Sequence, residues 1–124
     1  MPFVSATEAV VHEMHGVRFV SYAAPTLGSR ELCAWRGEVA PGSDGPGHRI
    51  SREEVFLLLS GRLELTIDGE TRALTPGDAA VAPPGSSVSV ANRTEEPATM
   101  WVTTTIGLQA TLADGSQISP PWAN

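Results

Sequence analysis

The stretch Gly42–Gly61, GSDGPGHRISREEVFLLLSG, decides the reading of this chain. It opens on a Gly/Pro-rich run, Pro41 to Gly47, that cannot hold regular structure. A polar segment with one histidine follows, His48-Arg49-Ile50-Ser51-Arg52, and then two carboxylates, Glu53 and Glu54. The apolar run Val55 to Leu59 ends at Ser60-Gly61. Such a run predicts a strand with both faces covered. A second stretch, Gly77 to Asn92, GDAAVAPPGSSVSVAN, answers the first.

Outward from these two stretches, short strands alternate with turns. Val17 to Tyr22 is β-branched and aromatic and predicts a strand. Glu31 to Ala40 predicts another, with Cys33, Trp35, Gly37 and Val39 on its buried face. Arg62 to Ile67 alternates, with Leu63, Leu65 and Ile67 inward. Asp68-Gly69 supplies the positive φ angles of a two-residue type I′ hairpin turn, and Glu70 to Leu74 returns from it. Further strands are expected over Ala79 to Ala82, Ser87 to Ala91, with Val88 and Val90 on one face, and Ala98 to Ile106. Leu108 to Leu112 is a candidate for one more. Nine or ten short strands with regular turn signals and no long helix predict an all-β sandwich or barrel. The expected division is an N-terminal arm over residues 1–16, a barrel over 17–112 and a C-terminal tail over 113–124. Within the arm, Ala6 to Met14 suits a helical turn or two, or an extended segment.

The chain has 124 residues, enough for one domain with one core. Its hydrophobic content of 41% suits globular burial rather than disorder. The net charge is −6 and the basic residues are all arginines without a cluster, which argues against a nucleic-acid partner. No run of about 18 apolar residues exists to cross a membrane as a helix. Cys33 is the sole cysteine, so no internal disulfide forms. A reducing, cytoplasmic compartment is the simplest reading, with Cys33 a buried inert thiol. The N-terminus lacks the pattern of a signal peptide.

The two stretches together resemble the paired motifs of the cupin superfamily. Its first motif runs Gly, five residues, His, one residue, His, three or four residues, Glu, six residues, Gly. Gly42, His48, Glu54 and Gly61 fall on that spacing, and Ile50 stands at the second histidine position. Its second motif runs Gly, five, Pro, one, Gly, two, His, three, Asn. Gly77, Pro83, Gly85 and Asn92 fall on it, and Val88 stands at the histidine position. The resemblance implies a double-stranded β-helix, or jelly-roll cupin barrel, around a cavity. It also implies a metal held by three histidines and a glutamate, of which His48 and Glu54 alone are kept. Catalytic zinc usually keeps three protein ligands, and non-haem iron commonly keeps two histidines and a carboxylate, so this pair falls short of both.

Four roles are open to His48: metal ligand, general acid or base, hydrogen-bond partner of a ligand, or structural bond to a loop. Glu54 is costly to bury unless paired. Its candidate partners are His48, Arg36, Arg52 or a metal, and the simplest is an arginine at the barrel mouth. His12 and His15 could complete a site if the N-terminal arm folds over that mouth. Arg36, Ile50, Phe56, Val88, Met100 and Trp101 are the ligand-contacting candidates, and Trp35 and Tyr22 are further candidates for the cavity wall. The leading expectation is a cupin that binds a small organic molecule. As an enzyme it would be a metal-independent isomerase, epimerase or cyclase with His48 and Glu54 catalytic. One alternative is an oxygenase-like enzyme using a divalent metal (Fe, Mn, Zn or Ni) on His48, Glu54 and an added ligand. Another is a non-catalytic binding protein. A homodimer with the N-terminal segment at its interface is expected.

Overall fold

The computed structural model describes residues 2–124. Twelve strands follow the turn signals: β1 (Val10–Met14), β2 (Val17–Ala23), β3 (Leu32–Val39), β4 (His48–Ile50), β5 (Glu54–Ser60), β6 (Leu63–Ile67), β7 (Glu70–Leu74), β8 (Ala79–Ala82), β9 (Ser87–Ala91), β10 (Ala98–Thr105), β11 (Ala110–Thr111) and β12 (Gln117–Ile118). They form two six-stranded antiparallel sheets, ordered β1-β2-β3-β10-β5-β8 and β12-β11-β4-β9-β6-β7. The sheets face each other as a jelly-roll barrel, with the core between them.

Alternation sets which side chains enter that core. Cys33, Trp35 and Val39 of β3 are buried, as are Leu63 and Leu65 of β6. Asp68 (φ 49) and Gly69 (φ 83) turn the β6–β7 hairpin with both φ angles positive, as the type I′ turn requires. Asp68 also accepts a hydrogen bond from the Ser87 amide at 2.9 Å, tying the hairpin to β9.

The motif positions that match are framework. Gly61 has φ +80, and a Cβ there would lie 2.7 Å from the Ala98 Cα, so no other residue fits without displacing β10. Asn92 is fully buried. Its amide donates to the carbonyls of Val39 (3.2 Å) and Glu96 (2.8 Å), and its oxygen accepts from the Thr94 amide (3.0 Å). It satisfies a loop that would otherwise bury unpaired polar groups.

Residues 10–14 of the arm take the extended alternative as a strand, β1, paired in full register with β2. Two features depart from the expectations. The tail is part of the barrel: β12 extends the second sheet, and Trp122 and Ala123 are buried in the core. Ser21 Oγ donates to the Trp122 carbonyl at 2.7 Å, and Phe19 stacks on Trp122 with ring centroids 3.7 Å apart. The apolar run of β5 is covered on its inner face only. Val55 is 37% and Leu59 46% exposed, because no described residue packs over them on the outer face of that sheet.

Candidate functional site

A cavity of about 120 Å³ lies between the sheets. Ladder register explains what faces it. β4 pairs with β9, with His48 opposite Val88, so the first motif meets the second across one rung. Ile50, two residues on, shares the His48 face. From the opposite sheet come Glu54 and Phe56 of β5, Trp35 of β3 and Met100 of β10. His48, Ile50, Glu54, Phe56, Val88 and Met100 are thus brought together around one space, and Trp35 joins them.

Arg36, Trp101 and Tyr22 are not brought there. They lie on the outer face of the first sheet, because each strand sends successive side chains to opposite sides. Trp35 and Met100 take the inward positions, so Arg36 and Trp101 must face out. Arg36 pairs with Glu38 at 3.0 Å and reaches the Tyr22 hydroxyl at 3.4 Å, while the Tyr22 and Trp101 rings sit 5.7 Å apart.

Glu54 is 4% exposed and makes no ion pair with any described residue. The expected arginine partner is absent because Arg36 is on the other face and Arg52 packs against Gly107. Burial alone pushes the Glu54 carboxyl up to about 7. His48 is half-buried. Burial lowers its pKa, the Pro46 backbone opposes this in smaller measure, and His15 lowers it further. Both shifts favour the uncharged form of each group.

His15 reaches the cavity mouth because the β1–β2 turn carries it there, at φ 52. His12, on β1 opposite Phe19, does not line the cavity. Among the described residues no three His, Cys, Asp or Glu side chains converge as a metal site. Ile50 and Val88, each 1% exposed, put aliphatic groups beside His48 on this wall. The donor set does not fit a three- or four-ligand centre. Cys33 is fully buried and donates its S–H to the Ala123 carbonyl at 3.3 Å, which leaves it a packing residue.

Sequence reasoning missed the walls supplied by the chain ends, notably Phe19, Leu108, Ile118 and Trp122. Their apolar character was the available signal; Leu108 and Trp122 lie outside the strands and Ile118 is on a two-residue strand, so of these only Phe19, on β2, had a face to announce.

The family model described as cupin domain matches residues 35–105, more than half of the chain. The chain is a cupin. Comparison with curated protein sequences gave no match. Among solved structures, this cupin is similar to the polyketide cyclase RemF from Streptomyces resistomycificus, with a TM-score of 0.75 and 19% identity over 85% of this chain and 79% of that one. It is similar to an RmlC-like cupin from Shewanella frigidimarina (TM-score 0.72, 19% identity, 83% and 88% covered). It is also similar to a sugar phosphate isomerase of the cupin superfamily from Silicibacter pomeroyi (TM-score 0.71, 18% identity, 96% and 93% covered). At such identities the likeness carries the fold and leaves the chemistry to the site. Among the described residues no helix is long and apolar enough to cross a membrane.

Proposed function

We propose that this cupin binds a small organic molecule in its cavity and moves a proton on it without a metal, in an isomerisation, epimerisation or cyclisation. Glu54 and His48 are the acid and base. The observation that carries this reading is the buried, unpaired Glu54 carboxyl, pushed up to about 7, on the same cavity as His48. A buried carboxyl raised to about 7 is held in its protonated form as an acid, and a buried imidazole with a lowered pKa is held in its neutral form as a base, so the pair can give and take a proton. The names of two similar structures, a cyclase and an isomerase, are compatible with this class of chemistry. The metal-dependent alternative is weaker because, among the described residues, no three donors converge as a metal site.

The test uses 2-hydroxycyclohexanone, an uncharged carbon acid, in D₂O. Deuterium uptake at the hydroxyl-bearing α-carbon is followed by NMR with wild type and with Glu54→Gln. The protein-dependent rate falls at least tenfold in the variant, about 1.4 kcal/mol. Wild type that gives no acceleration, or a variant that keeps it, refutes the assignment.

We propose in addition that the protein is a homodimer with no nucleic-acid or membrane partner. β1 is an edge strand with Val10 (40%) and Val11 (43%) exposed, and the open sheet face carries Val55 and Val81. An exposed apolar edge is a template for pairing.

A further inference from the structure

The cavity wall is selective in what it omits. No described arginine lines it, and the chain has no lysine. The arginines are engaged elsewhere: Arg18 and Arg36 with Glu38, Arg49 with the Gly85 carbonyl, and Arg52 against Gly107. Among the described residues, the charged or titratable groups on the wall are Glu54, His48 and His15. An anionic ligand would enter an apolar space beside a carboxyl with no arginine or lysine to neutralise it, at a steep desolvation cost.

What the wall includes is equally specific. Phe19 stacks on Trp122, and Trp35 meets Trp122 edge-on at 6.4 Å, giving flat aromatic surfaces. A cavity of about 150 Å³ accommodates benzene, and this one, at about 120 Å³, is of that order. Glu54 makes no ion pair with any described residue, and the fully buried Trp35 indole N–H has no acceptor among them. Buried polar groups of native proteins are nearly always satisfied, so each such group points to a missing partner. A hydroxyl suits this wall because it both donates and accepts. It can serve Glu54 in either protonation state and accept from an indole.

We infer that the ligand of this cavity is an uncharged single-ring molecule bearing a hydroxyl group, held between the aromatic wall and the Glu54 carboxyl. Phosphorylated and carboxylated substrates are excluded by the same wall. This inference rests on the proposed function for the site but goes further, to the class of ligand.

Titration calorimetry at pH 7 with 4-methylphenol, toluene and benzoate as probes tests it. 4-Methylphenol binds at least tenfold more tightly than either of the others. In Glu54→Leu, which removes the polar group from a buried position, toluene binding persists and the preference for 4-methylphenol over toluene disappears. Should Glu54→Leu fail to fold, Glu54→Met serves the same purpose with an unbranched chain. Benzoate binding as tightly as 4-methylphenol overturns the ligand class. So does a phenol preference that survives loss of the carboxyl. Failure of deuterium uptake with the selectivity intact removes the proton-transfer reading and leaves the ligand class standing. The reverse pattern does the opposite.

Discussion

The Glu54→Gln substitution makes a quantitative prediction about stability. In the unfolded chain this carboxyl has its ordinary value of 4.5, and in the folded barrel burial pushes it to about 7. The native state therefore binds the proton more tightly than the unfolded state. That contribution is fully present below 4.5 and is lost as pH rises through 7. At about 1.4 kcal/mol per pH unit, ionising Glu54 above pH 7 penalises the fold by about 3 kcal/mol. Gln keeps the shape and a buried neutral polar group but cannot ionise. Wild type and variant are thus expected to be within about 0.5 kcal/mol at pH 4.5, with the variant more stable by about 3 kcal/mol at pH 8. The lowered pKa of His48 acts in the other sense, costing stability as pH falls below 6.5, but it is common to both proteins. Thermal unfolding at half-unit steps from pH 4.5 to 8 reads the difference, which should open to roughly 10 °C at the alkaline end. A difference that stays constant with pH would refute the claim that Glu54 is buried without a charge partner.

The aliphatic residues beside His48 suggest a gain-of-function experiment. The double variant Ile50→His/Val88→His, with Val88 opposite His48 and Ile50 two residues along the same strand face, should bind about one equivalent of zinc or nickel by elemental analysis of untagged protein. Wild type should hold well under one equivalent, and stoichiometric metal there that survives mild chelation would restore the metal-dependent alternative. For assembly, light scattering at micromolar concentration should give twice the chain mass. Removing residues 1–16, and with them β1, should lower that mass, and a monomer in the intact protein would end the dimer proposal.

Legibility in the sequence follows physical signal strength. Asp68-Gly69 announces its hairpin because few residue pairs tolerate two positive φ angles. β3 and β6 announce their buried faces because water lies on one side and core on the other, so polarity alternates. β1 gives no such signal. It is an edge strand whose residues are exposed or half-buried, so VVHEM shows no period. The C-terminal segment is equally silent, since the β11–β12 ladder is two residues long, and the rest of the segment is held by Trp122 packing and hydrogen bonds. For the site, motif spacing places His48, Ile50, Glu54 and Val88 because each is fixed by strand parity. Arg36 and Trp101 are misplaced when residue type is weighed above parity. Adjacent residues of one strand, such as Met100 and Trp101, cannot both face the cavity. The missing charge partner of Glu54 depends on where every arginine comes to rest, and no local pattern records that.

Two of the three tryptophans, Trp35 and Trp122, stand on the cavity wall, while Trp101 lies on the outer sheet face. Indole emission responds to the polarity and quenching groups beside the ring. A molecule entering the barrel changes the surroundings of two emitters and leaves the third as a constant background. Trp101→Phe would remove that background without touching the cavity. The barrel thus carries its own optical gauge of occupancy, and a library of colourless compounds could be read against it without a label, whatever the reaction turns out to be.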